Sequence, residues 1–311
     1  MRNRTHLRRT TFALTAVVAF SVAASASAAV NAVGKENTEK ASALTYWTPE
    51  RILSARPLPV PKVSADTAAN FARDNEGVAA EAHGTPAGAD GAAPKGRLAA
   101  SLATRLFTPE DAELAAARQA LEDYDAIEGD NAGTLNAQFS STRVFPDSAT
   151  TAYPYLTVGK LFFTIQGQGN FICSGSVIRR RVILTAGHCV HNGNGSVSGY
   201  YTNFMFVPAY RSGNAPAGTW DWQYVNTTAT WFSGGATFPN AADYAMIEPR
   251  DIGSNVIGNV TGFLGYQTLK LSPNHAHLLG YPANLDSGER MHEVTSQSFR
   301  KTTPNAVEYG S

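Results

Sequence analysis

From about Arg143 onward the chain consists of short runs rich in Val, Ile, Phe, Tyr and Thr, broken by Gly, Asn or Pro every several residues. β-Branched and aromatic residues suit a pleated, half-buried surface, and the interruptions supply turns. The runs predict strands at Leu161–Gln166, Gly175–Ile178, Val182–Thr185, Thr202–Val207, Asp221–Val225 and Tyr244–Glu248. No heptad pattern, internal repeat or long amphipathic helix follows residue 143. The expected class is therefore all-β, a barrel or a sandwich.

The first 142 residues read differently. Arg2, Arg4, Arg8 and Arg9 form a basic head, Phe12 to Ala24 an apolar stretch, and Ala26-Ser27-Ala28 a small-residue cleavage site, so residues 1–28 are expected to be a signal peptide. The apolar stretch is too short and too rich in Thr and Ser to span a bilayer. Residues 29–142 are rich in Ala, Pro, Gly and charge, a composition expected to bury little and to act as a linker or propeptide. One helix is predicted within it, near 109–127: Thr108 can cap, Pro109 suits the first turn, Asp111 stands in the capping-box position, and Leu114, Ala117, Leu121 and Tyr124 recur at helical spacing. Residues 143–311 form the expected folded domain.

The chain has 25 basic and 25 acidic residues, which gives no reason to expect nucleic acid or an anionic membrane as a partner. It has two cysteines, Cys173 and Cys189. In an exported chain such a lone, close pair reads as a disulfide. Closing a loop of this length is worth about 3 kcal/mol.

The chemistry-bearing signal is Cys173-Ser174-Gly175-Ser176-Val177-Ile178, a basic turn, and then Val182-Ile183-Leu184-Thr185-Ala186-Gly187-His188-Cys189-Val190. An apolar strand ends in small residues that allow a tight turn, and His188 follows at its end. This string resembles the histidine motif of trypsin/chymotrypsin-like serine peptidases. The resemblance implies that His188 is a general base. It also implies a downstream aspartate to orient the imidazole. Asn240-Ala241-Ala242-Asp243-Tyr244-Ala245-Met246-Ile247 resembles the family's aspartate motif, which makes Asp243 the expected partner; Asp221, Asp251 and Asp286 lack that context.

The third member implied by the family is a serine in a Gly-x-Ser-Gly-Gly loop, roughly 90 residues past the aspartate. The nucleophile is absent from these 311 residues. Ser174-Gly175-Ser176 belongs to the histidine hairpin, Ser233-Gly234-Gly235 precedes the aspartate, and Gly310-Ser311 has nothing after it to form an oxyanion hole. Gly280-Tyr281-Pro282 resembles an early second-barrel element of bacterial glutamyl-endopeptidase-like enzymes. The expectation is thus a double Greek-key β-barrel of the chymotrypsin type with its second barrel incomplete, truncated before the serine and preceded by a largely disordered propeptide. The implied function is that of a secreted, extracellular serine endopeptidase, a monomer acting on protein or peptide substrates without a cofactor. The alternative is an inactive, peptidase-like binding module.

Weaker signals remain. His275-Ala276-His277 places two imidazoles on one strand face, with His191 and His292 further off, but a full ligand set is lacking and no metal is assigned. The aromatics Trp220, Trp222, Trp231, Tyr200, Tyr201, Tyr210 and Tyr224 are expected to be mainly core residues.

Overall fold

In a computed structural model of the chain, the described residues are 32–39, 41–58, 88–113, 115, 139–234, 242–267, 276–296, 299–303 and 306–309. The expected signal peptide and most of the helix predicted at 109–127 lie outside them. The start of that helix is present at 109–113 with the expected reciprocal cap. The Thr108 N–H donates to Asp111 Oδ2 (2.8 Å) and the Asp111 N–H donates to Thr108 Oγ1 (3.1 Å). These bonds hold the Asp111 carboxyl below its ordinary value.

Eleven strands carry the description: β1 Ala32–Glu36, β2 Arg56–Pro57, β3 Phe139–Arg143, β4 Val158–Ile165, β5 Gly169–Arg179, β6 Val182–Thr185, β7 Thr202–Pro208, β8 Trp220–Thr228, β9 Ala245–Pro249, β10 Ala276–Gly280 and β11 His292–Ser296. Six of them close a barrel in the order β8-β9-β6-β5-β4-β7, with β7 returning to β8 through Phe206–Trp220 and Met205–Asp221. Closure leaves edges only where a strand runs past its neighbour, as β8 does beyond β7 and β5 beyond β6. The all-β expectation holds, and β6 has the ends its sequence predicts. A second, open sheet runs β10-β11-β3.

Strand β4 shows why its sequence reads as a nearly continuous apolar run. Leu161, Phe163 and Ile165 point into the barrel with Phe171, Phe204, Phe206, Trp220 and Trp222. Val158 and Phe162, on the alternate face, meet Trp47, Phe107, Tyr281 and Met291. Both faces of the strand are covered, so both parities must be apolar. Lys160 shares the outer face and is almost fully buried. Its ammonium is 2.7 Å from Glu289 and lies over the Tyr210 ring at 4.4 Å. Burial draws the Lys160 pKa down, opposed by Glu289.

The expectation that residues 29–142 bury little needs correction. β1 pairs along β8 from Ala32–Thr228 to Glu36–Tyr224, and β2 pairs in parallel with Phe171–Ile172 of β5. Trp47, Ile52, Leu102 and Phe107 are buried. A few large apolar side chains, spaced through a small-residue stretch, suffice to dock an extended segment that contributes backbone hydrogen bonds to existing strand edges. No helix of the described residues is long and apolar enough to cross a membrane.

Candidate active site

Strands β6 and β9 are antiparallel neighbours, with Thr185 opposite Ala245 and Ile183 opposite Ile247. Continued past the strand ends, this register sets Gly187 and His188 against Asp243 and Ala242. After β6 the chain enters a short 3-10 turn at Gly187–Cys189. There the His188 backbone N–H donates to Asp243 Oδ1 at 2.8 Å, and His188 Nδ1 lies 2.7 Å from Asp243 Oδ2. One carboxylate therefore fixes both the main chain and the ring of the histidine. With the Nδ1 proton donated to Asp243, Nε2 is the basic atom of the ring. Both side chains are partly exposed, at 21% and 14%.

Cys173 and Cys189 are joined, with Cα atoms 6.2 Å apart, and tie the turn to β5. Thr185 Oγ1 donates to the Ser174 carbonyl across the same gap at 2.8 Å. On the aspartate side, Thr228 Oγ1 donates to the Ala242 carbonyl (2.9 Å) and Thr227 Oγ1 to the Tyr244 carbonyl (2.8 Å). These two hydroxyls hold the backbone on both sides of Asp243.

Sequence reasoning placed Trp231 among packing aromatics, and it is buried, but it also abuts the site. Its ring centroid is 6.3 Å from that of His188. Its indole N–H donates to the His191 carbonyl at 2.8 Å, and its backbone N–H donates to Thr228 Oγ1. Fully buried His191 accepts from the Gly193 N–H at Nδ1 and so donates from Nε2 to the Ser196 carbonyl. Desolvation lowers the His191 pKa, which favours this neutral tautomer. Phe232 stacks on the His191 ring at 4.7 Å and Tyr200 meets it edge-on at 4.5 Å. Burial pushes the Tyr200 phenol up to about 12, keeping it a donor to the Val33 carbonyl. The sequence signal for this support was the density of Trp, His and Tyr around Gly-Asn turns, which by itself does not reveal who touches His188.

The serine candidates fall elsewhere. Ser174 Oγ accepts the Tyr281 N–H at 2.9 Å, Ser176 lies within β5 and Ser233 within the helix Ala229–Gly234. Gly310 and Ser311 lie outside the described residues. The potential metal-donor group among the described residues is Cys173, His188 and Cys189, but both sulfurs are consumed by the disulfide. His275 is outside the described residues; His277 bonds Glu293, and His292 Nε2 is 2.9 Å from Asp286. Trp220, Trp222, Tyr200, Tyr201 and Tyr210 are core residues as expected.

Residues 153–207 match the family model described as Trypsin. That segment holds His188 and both cysteines. Among solved structures, the chain is similar to the protease Anisep from Arthrobacter nicotinovorans at 31% identity, over 47% of this chain and 65% of that one, with a TM-score of 0.42. A thermostable serine protease, AL20, from an extremophilic microorganism is 26% identical over 50% of this chain and 68% of its own, with a TM-score of 0.41. A Glu endopeptidase solved in complex with MPD is 23% identical over 55% and 76%, with a TM-score of 0.40. The chain thus spans just under two thirds of the length of Anisep. No curated protein matches it.

Proposed function

We propose that the chain is the His- and Asp-bearing part of a secreted serine endopeptidase, with His188 as general base and Asp243 as its orienting carboxylate. The observation that carries this reading is the double engagement of Asp243, one oxygen on the His188 backbone N–H and the other on Nδ1. In the mechanism, His188 Nε2 takes the proton of a serine hydroxyl as its oxygen attacks the scissile carbonyl. His188 then returns that proton to the leaving amine. Asp243 stabilises the imidazolium formed between the two transfers. Water, activated by the same histidine, hydrolyses the acyl-enzyme.

The reading requires a serine nucleophile, and no Gly-x-Ser-Gly-Gly stretch occurs among these 311 residues. The test is to read the gene past codon 311 and to assay the protein expressed from the whole gene. Asp243→Asn should lower turnover about 10⁴-fold, through the wrong imidazole tautomer, without loss of folding. Unchanged turnover in Asp243→Asn or His188→Ala removes that residue from the mechanism. A whole gene whose second barrel lacks a serine loop favours the inactive binding module. Export through a signal peptide at residues 1–28, and processing between Gly133 and Arg143, belong to the same proposal and are tested by N-terminal sequencing of the mature protein.

A further inference from the structure

We propose that the segment before residue 133 is not discarded when the chain is cut between Gly133 and Arg143, but stays seated on the barrel as a second, non-covalently held chain. The cut is taken from the proposed function above; the seating rests on contacts that do not depend on it.

Strand β8 offers one edge to β9, and on its other edge β7 takes only Trp220 and Asp221. β1 takes the rest, from Tyr224 to Thr228. Its departure would leave five residues of strand edge unpaired. β2 covers Phe171 and Ile172 of β5 in the same way, beyond the reach of β6.

Buried polar groups make the seat harder to leave. Asp221 is only 6% exposed. Its Oδ2 accepts Ser42 Oγ–H at 2.7 Å and its Oδ1 the Ala43 N–H at 3.3 Å, while Arg250 Nε stands off at 3.9 Å. Losing Ser42 and Ala43 would strip a buried carboxylate of its near donors. Trp47 donates to the Asn203 carbonyl at 2.7 Å and sets its ring 5.4 Å from that of Phe162. Further along, the Leu106 N–H bonds the Gly213 carbonyl at 2.7 Å, and Ala92 and Phe263 exchange both backbone bonds at 2.9 and 2.8 Å. Phe107 lies so close over Gly213, whose φ is +77°, that a Cβ there would come within 2.9 Å of its ring.

The seat also reaches toward His188. Tyr200 donates to the Val33 carbonyl and packs edge-on against His191, whose carbonyl holds Trp231 beside His188. A retained N-terminal chain would keep that support intact after processing.

The experiment places a site-specific protease sequence after Gly133 in the full chain, cuts it, and follows both fragments by native size exclusion with mass spectrometry. Co-elution that ends only in denaturant is expected. Release of the N-terminal fragment under native conditions, with or without unfolding of the remainder, overturns the proposal. In the cut protein, Asp221→Ala should speed exchange of a labelled N-terminal fragment by about tenfold or more. Ser42→Ala, a milder change that leaves the carboxylate in place, should speed it less but measurably. Unchanged rates in both overturn the assigned contact. In the uncut chain, amides of Ala32–Glu36 that bond β8 should resist hydrogen exchange as well as those of β9, and free exchange there also overturns the proposal.

Discussion

Gly187 precedes the histidine because of what stands over it. A Cβ built on Gly187 would lie 2.8 Å from Trp231 Cγ, 3.0 Å from Trp231 Cδ1 and 3.0 Å from Asp243 Oδ1. Neither neighbour is free to yield. Trp231 is 1% exposed and pinned to the His191 carbonyl, and Asp243 Oδ1 already accepts the His188 N–H. Gly187→Ala should therefore destabilise the protein by about 1–3 kcal/mol, the usual range for an extra methyl forced into a filled site. For a domain of this size that is a fall in Tm of roughly 2–10 °C. Urea unfolding read by tryptophan fluorescence measures it. A double-mutant cycle isolates the part due to Trp231: with Trp231 already replaced by Ala, adding Gly187→Ala should cost clearly less, the contact with Asp243 Oδ1 being what remains. A Gly187→Ala protein within about 0.5 kcal/mol of wild type, or an equal loss in both backgrounds, would refute the steric reasoning.

Three further outcomes follow from the packing. Replacing Cys173 and Cys189 together by Ser should lower stability by about 3 kcal/mol in denaturant unfolding, by freeing the loop that ends beside His188. His191 has a pKa depressed by burial, so the unfolded chain binds its proton more readily. Its contribution to stability is complete above the ordinary histidine value of about 6.5 and is lost as pH falls from there through the lower folded value. Unfolding curves across that interval should show the slope in wild type and lose it in His191→Phe. Glu289→Leu leaves the Lys160 ammonium buried without its carboxylate and should cost about 3 kcal/mol or more, whereas Lys160→Met leaves a carboxylate one third exposed and should cost clearly less; chemical denaturation distinguishes the two.

Particular elements show where sequence reasoning reached and where it stopped. Val182–Thr185 was legible to the residue, because a β-branched run is bounded by an arginine turn on one side and Ala-Gly on the other. The Thr108 cap was legible because both halves of a capping box lie within four residues. β1 was not, since Ala32-Val33-Gly34-Lys35-Glu36 carries almost no apolar signal and is held by the backbone edge of a strand far away in the chain. The pairing of His188 with Asp243 was anticipated through motif resemblance. Its physical basis, the β6–β9 register, is tertiary. The support from Thr227, Thr228, Trp231 and His191 was out of reach for the same reason: each acts through a main-chain carbonyl or ring contact that leaves no local pattern.

The central claim, that His188 and Asp243 serve a serine nucleophile, is tested most directly by labelling the protein expressed from the whole gene with a serine-directed phosphonylating probe. The account predicts stoichiometric modification of a single serine, abolished by His188→Ala and strongly slowed by Asp243→Asn. A correctly folded protein that takes up no label, or one labelled equally fast in His188→Ala, would contradict it.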